Sequence, residues 1–223
     1  MTSTPTTQTY LSLDDAFTFF NARLFENRLP TCLITLQRHR SAYGFFWCDK
    51  FSKRSDTEDK VDEIALNPSH FRERTIEQSL STLVHEMTHL EQHHFGKPSR
   101  NGYHNKAWTV LMKAVGLFPS STGAPGGKET GQKVSHYIIE RGLFAQACRD
   151  LLERGFSLDY VERLGDVKEP KKKDTSKTKF TCPQCEANAW AKLGIHLVCG
   201  ECEERMVSEG GEGGEGGEDG DAD

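Results

Sequence analysis

The feature that most constrains this chain is the run His85-Glu86-Met87-Thr88-His89. Residues four apart are close neighbours only on an α-helix, so the two imidazoles can hold one metal ion only if this stretch is helical. Glu86 then stands beside the ion, placed to take a proton from a water. The flanking sequence supplies such a helix over residues 75–94: Thr75 with Gln78 forms a capping box, and Gly96 followed by Pro98 provides a stop. At about 100° per residue, Ile76, Leu80, Leu83, Val84, Met87 and Leu90 share one arc, while His85, Glu86, His89 and His93 fall together outside it. The pattern predicts one core side and one histidine/carboxylate side. The competing reading is a solvated polar face that carries histidines by chance.

A catalytic zinc site takes three protein donors and keeps one position open. His93 lies a further turn along the same helix, too far up the axis to close a compact tetrahedron, and is assigned to the surface or to supporting a ligand. The extended metzincin pattern is missing, because Gln92 and Phe95 stand where it needs Gly and His. His104 is the best-placed third donor. It follows the turn-forming stretch GKPSRNGY and opens a helix predicted over residues 104–115, whose Trp108, Leu111, Met112 and Val115 can pack back on the first helix. A helix-start histidine with no ligand role is the alternative.

Charge and composition divide the chain. It has 223 residues with Lys+Arg 28 against Asp+Glu 33, a net −5. Seven acids lie within residues 208–223, and removing them from −5 leaves +2, so the folded part is mildly basic. Residues 1–10 are Thr-rich and predicted to be disordered; residues 11–166 carry periodic apolar patterning and form the main domain. Residues 167–179, with six lysines, read as a linker, 180–207 as a cysteine module, and 208–223 as a disordered Gly/Glu/Asp tail. No apolar run approaches the roughly 18 residues of a membrane span, and the N-terminus lacks a secretory pattern. A cytoplasmic location is expected, nucleoid- or nucleus-associated if the protein binds DNA.

Within the main domain, a first helix is predicted from Leu13 to Glu26 with Ser12 as its cap, and strands at 32–37, 43–48 and 63–67. Residues 50–62 (KFSKRSDTEDKVD) read as a polar loop, 134–139 as a further strand and 143–154 as a helix. Few strands interspersed with helices indicate an α+β fold. His136 and Tyr137 are either packed strand residues or donors to a developing oxyanion.

Cys182-x₂-Cys185-x₁₃-Cys199-x₂-Cys202 has the spacing of a closed, four-thiolate structural zinc site. A module this small has little other means of folding. The other cysteines, Cys32, Cys48 and Cys148, are scattered among apolar neighbours, which points to a reducing compartment. Phe180, Trp190, Lys192, His196 and Arg205, next to the lysine-rich linker, offer stacking and phosphate contacts to nucleic acid. Equally, Trp190 can be the module's own core and the lysines a solvated spacer.

Several features together make the chain resemble the SprT-like metallopeptidases, the group that includes the DNA–protein crosslink protease Spartan. They are Phe17 and Asn21 running into Leu24-Phe25 and Leu29-Pro30, Gly44 after an Ala-Tyr step, the Ile64-Ala65-Leu66-Asn67 strand, and the HEMTH helix with fourteen residues between His89 and His104. The resemblance implies a zincin-like domain in which His85, His89 and His104 bind a catalytic zinc and Glu86 is the catalytic acid/base. A second, structural zinc would sit on Cys182, Cys185, Cys199 and Cys202. It implies an endopeptidase whose substrates are DNA-associated or DNA-crosslinked proteins, with DNA reached through the linker and the ribbon. One departure is Asn105, where the family commonly has Gly after the third histidine. The alternative function is a non-catalytic nucleic-acid-binding adaptor on the same scaffold, which would have no need of Glu86. The acidic tail is further expected to compete with DNA for the lysine linker, a salt-screened effect.

Overall fold

The computed structural model describes residues 4–100, 102–162 and 177–208. They belong to two compact units, Met1–Arg163 and Leu164–Asp223. The first is an α+β arrangement of four helices and two small sheets.

Helix α1 spans Pro5–Leu24, starting eight residues earlier than the sequence predicted and replacing most of the expected disordered N-terminus. The reason is local. Thr4 caps the helix by accepting the Thr7 N–H, and Pro5 sits at the first helical position, where its fixed φ and missing N–H cost nothing. Gln8 then ties this turn to the end of the unit, donating to Asp159 Oδ2 at 2.6 Å. The Thr-rich turn is largely exposed and so shows no apolar pattern.

The larger sheet has the order β1-β3-β2, from β1 (Leu33–Leu36), β2 (Gly44–Lys53) and β3 (Asp56–Leu66). β3 is central, parallel to β1 and antiparallel to β2. The expected polar loop over 50–62 is instead the outer arm of the β2–β3 hairpin, closed where Lys53 pairs with Asp56. Apart from the cross-strand pair Phe51 and Val61, its side chains are polar on both faces because both faces meet water. The alternation that marks a half-buried strand is therefore missing, while the backbone ladder persists. From Asp62 to Leu66, β3 is buried throughout.

Helix α2 (Ile76–Phe95) opens with the predicted capping box and ends at Gly96. Helix α3 (Lys106–Ala114) follows, capped by Asn105 and starting two residues after the predicted start at His104. β4 (Leu117–Ser120) pairs antiparallel with β5 (Ser135–Ile138), and α4 (Leu143–Glu153) closes the unit against α1. One core joins Leu13, Phe17 and Phe20 of α1 with Leu83, Val84 and Met87 of α2, Trp108 and Met112 of α3, and Phe144 and Leu151 of α4. The Phe20 and Phe144 rings stack at 5.6 Å. Each such buried side chain contributes about 1.5–3 kcal/mol, whereas the exposed Arg23–Asp150 ion pair beside them is worth at most about 1 kcal/mol. Apolar packing, not the ion pair, holds α4 to α1.

In the second unit, β6 (Thr178–Thr181) pairs with β7 (Asn188–Ala191) and β8 (Val207–Ser208). Phe180 and Met206 pack with Cys182 and Cys199 as its core. Most of the expected lysine-rich linker and almost all of the acidic tail lie outside the described residues. No helix among the described residues is long and apolar enough to cross a membrane.

Candidate metal centre

Two elements bring three imidazoles together. His85 and His89 project from adjacent turns of α2, and His104 sits just before the cap of α3; one ligand atom from each lies within 4.8 Å of the others. Their ring centroids are 4.9–5.4 Å apart. Trp108, fully buried, touches all three rings, with centroids at 4.9, 5.0 and 4.3 Å, so the indole sets a floor beneath them.

The position of His104 depends on Asn105. Asn105 Oδ1 accepts the Trp108 N–H at 2.9 Å, capping α3, and also the Gln92 Nε2–H at 2.9 Å, which ties α3 to α2. His104 is meanwhile bridged to Gly131 through both backbone amides, at 2.9 and 3.1 Å, and its Nδ1 lies 3.2 Å from the Gly131 carbonyl. Gly131 has φ 143, a conformation that favours glycine. Asn105 is thus the residue that joins the two histidine-bearing segments.

His85 is held by His136, their Nδ1 atoms 3.0 Å apart, and His136 Nε2 lies 2.9 Å from Ser81 Oγ. The Ser81 hydroxyl donates to the Gln78 carbonyl at 2.8 Å. One proton arrangement satisfies the whole chain: Ser81 donates to Gln78, His136 Nε2–H to Ser81, and His85 Nδ1–H to His136 Nδ1. This arrangement leaves the His85 Nε2 lone pair for a metal. Both nitrogens of His136 are then committed, so it is not free to stabilise an oxyanion. The sequence weighed His136 only as a packed residue or an oxyanion donor and missed this role, which depends on β5 bringing His136 up to His85 and Ser81 of α2. Tyr137 stacks on Phe118 at 5.1 Å.

Burial dominates the electrostatics. It pushes His85 well below its ordinary 6.5, helped by His136, His89 and His104, and lowers His89 to about 3. His104 is lowered too, by burial against the opposing Gly131 hydrogen bond, and His136 falls to about 3 through burial and the Arg74 charge. These rings are neutral at pH 7, with lone pairs available. Neutral nitrogen donors, two of them oriented by a bond at the other ring nitrogen, suit a divalent ion such as zinc. Glu86, only 4% exposed, is pushed up to about 8 by burial. It faces Gly44 of β2 so closely that a Cβ there would lie 3.2 Å from Glu86 Oε1.

The profile of the SprT-like family matches residues 13–126, just over half of the chain and the whole stretch that carries the trio and Glu86. The chain belongs to the SprT-like family. His136 lies beyond the matched stretch of this SprT-like protein. A similar sequence is a Salmonella typhimurium protein named "Uncharacterized protein in mucB 3'region", 48% identical over 60 residues, which is 27% of this chain and 80% of that protein. No solved structure matches.

The second unit gathers the four cysteines, with one Sγ from each within 4.8 Å of the rest. The two knuckles repeat one backbone turn. Glu186 N–H donates to the Cys182 carbonyl and Glu203 N–H to that of Cys199, and both glutamates have φ 58. Backbone N–H groups of Glu201 and Cys202 lower the Cys199 thiol to about 7, whereas a hydrogen bond with Cys185 holds Cys202 up at about 12. Four such thiols cannot all ionise without a cation among them, so the donor set fits a soft divalent ion. Phe180, offered by the sequence as a stacking residue, is buried as core, while Trp190 is 59% exposed and so is not the core of the module. His196 lies against Arg205, away from the thiols.

Proposed function

We propose that this SprT-like protein is a zinc-dependent endopeptidase with a zincin-like catalytic domain and a four-cysteine zinc ribbon. The observation that carries the reading is the convergence of His85, His89 and His104 with the buried Glu86 on the same stretch of α2. The chemistry a zinc ion supplies there when bound is Lewis acidity toward a water and a peptide carbonyl. Glu86 takes the proton of the attacking water and returns it to the leaving amine. Its burial, which brings the carboxyl near neutrality, suits it to both transfers. Among the described residues β2 is an edge strand, and its Gly44 lies against Glu86. A substrate in extended form can therefore add to β2 by backbone pairing and carry its scissile bond to the carboxylate. The second zinc would be held by Cys182, Cys185, Cys199 and Cys202.

The substrate class is protein bound or crosslinked to DNA. Support comes from family membership and from the exposed face of the ribbon, where Lys179 lies directly across from Trp190. Cross-strand neighbours share a face, and a cation beside an exposed indole suits an unstacked base and its phosphate. The test is cleavage of a DNA-binding protein with DNA present or withheld. Glu86→Gln should keep zinc at the trio and abolish cleavage; undiminished cleavage would remove the mechanism. Trp190→Ala should weaken single-stranded DNA binding and leave cleavage of a free peptide unchanged.

A further inference from the structure

Past the trio, the last turn of α2 carries a second group of donors that the peptidase reading does not use. His93 and His94 approach Asp62 of β3, with one ligand atom of each residue within 4.8 Å of the other two. Asp62 is only 5% exposed and is fixed from behind, its Oδ1 accepting the Asp49 N–H at 2.8 Å. That bond exists because the β2–β3 register shifts between Trp47 and Phe51, where Asp49 takes φ 51. Its Oδ2 lies 2.6 Å from His94 Nε2. The His93 ring sits beside Phe46, centroids 5.8 Å apart, and nearly perpendicular to that of His94.

A histidine–aspartate clasp holding the end of α2 to the sheet would account for His94 and Asp62. It would not account for a second imidazole turned to the same point. Three converging donors, one of them a buried carboxylate already oriented by the backbone, are what a cation needs. The C-terminal end of a helix also favours positive charge. We infer that Asp62, His93 and His94 form a third metal site, distinct in every ligand from the trio and the cysteine cluster. Two imidazoles and a carboxylate select borderline divalent ions such as zinc, cobalt or nickel over calcium or magnesium, which prefer all-oxygen sets. The His94 side chain is 35% exposed, so an ion here exchanges with solvent and keeps positions open to water. Occupancy would pin the end of α2 to β3 in the middle of the sheet.

The test is zinc counting by native mass spectrometry on the full chain, stripped with chelator and refilled. Three ions per chain are expected, one for each donor group. His93→Ala and His94→Ala should each hold one fewer. His89→Ala should lose a different ion, so that His89→Ala combined with His94→Ala loses two. Asp62→Asn should match the single histidine variants; because Asp62 is buried, the partly exposed histidines serve as the primary variants, with circular dichroism to check their fold. An unchanged count in His93→Ala and His94→Ala overturns the site. So does loss on His94→Ala alone, which would leave His93 no part in it. Neither result bears on the trio or on peptidase activity.

Discussion

His85 and His136 meet through their Nδ1 atoms at 3.0 Å, and the relay runs on to Ser81. A ligand imidazole whose far nitrogen is engaged is fixed in both tautomer and ring plane, and removing the partner typically costs 10–100-fold in metal affinity. His136→Ala is expected to weaken zinc binding at the trio by about that factor, measured by competition with a chromophoric chelator. His136→Gln, which can still accept from His85, should recover part of it. Unchanged affinity in the alanine variant would reduce His136 to a packing residue.

Asn105 does two jobs with one oxygen, capping α3 and accepting from Gln92 of α2. Asn105→Ala should cost about 1 kcal/mol for the cap alone, and more once Gln92 loses its partner in a buried position. It should also loosen the adjacent His104 and lower zinc affinity. Asn105→Asp keeps an acceptor for both bonds but loses the Nδ2–H that donates to the Lys97 carbonyl at 3.2 Å, so in thermal melts it should fall between the alanine variant and the original protein. Equal melting temperatures for the alanine and aspartate variants would argue against the cap.

Gly44 leaves no room for a side chain. A Cβ would come within 2.9 Å of the Ala65 carbonyl and of Thr82 Cγ2, and within 3.2 Å of Glu86 Oε1. Gly44→Ala should therefore push β2 away from α2 at a cost of about 1–3 kcal/mol. Peptidase activity should fall sharply while the zinc count stays the same. Full activity would mean that the β2 edge does not position the substrate against Glu86.

Opposed shifts give the metal-free first unit a defined pH profile. Below 6.5 the unfolded chain takes up protons that the buried, depressed His85, His89 and His136 refuse, so their contribution is present above 6.5 and is lost as pH falls, toward about 3 for His89 and His136 and well below 6.5 for His85. Glu86 acts the other way. Its raised value makes its contribution full below 4.5 and lost as pH rises through about 8. Three imidazoles outweigh one carboxyl on the acid side, so urea midpoints in chelator should peak near 6.5. In Glu86→Gln the decline from 6.5 to 8 should vanish; if it persists, another group is responsible.

The ribbon has a core of little more than Phe180, Met206 and two cysteines, too small to fold without a cross-link or metal. Chelation should abolish amide-exchange protection over residues 177–208 while helices α1 to α4 keep theirs. Cys185→Ser should do the same in the presence of zinc. Retained protection would show that the apolar core suffices.

The chain alone determined those features whose cause is local. The 85–89 spacing can bring two imidazoles to one ion only on a helix, the capping box set where that helix starts, and paired cysteines announced a four-thiol cluster. Apolar periodicity placed α2 and α4 for the same reason, since each shows its core to one side, whereas the buried part of β3 was legible from apolar content and length. The outer arm of the β2–β3 hairpin and the first turns of α1 escaped because their side chains face water, and their order comes from backbone pairing and a cap. Only the tertiary structure decided that β5 brings His136 behind His85, that Asn105 binds α2 to α3, and that a bulge in β2 turns Asp49 toward Asp62 beside His93 and His94. Those contacts join residues 13 to 51 positions apart, and such pairings are set by how elements pack, which no local pattern of side chains records.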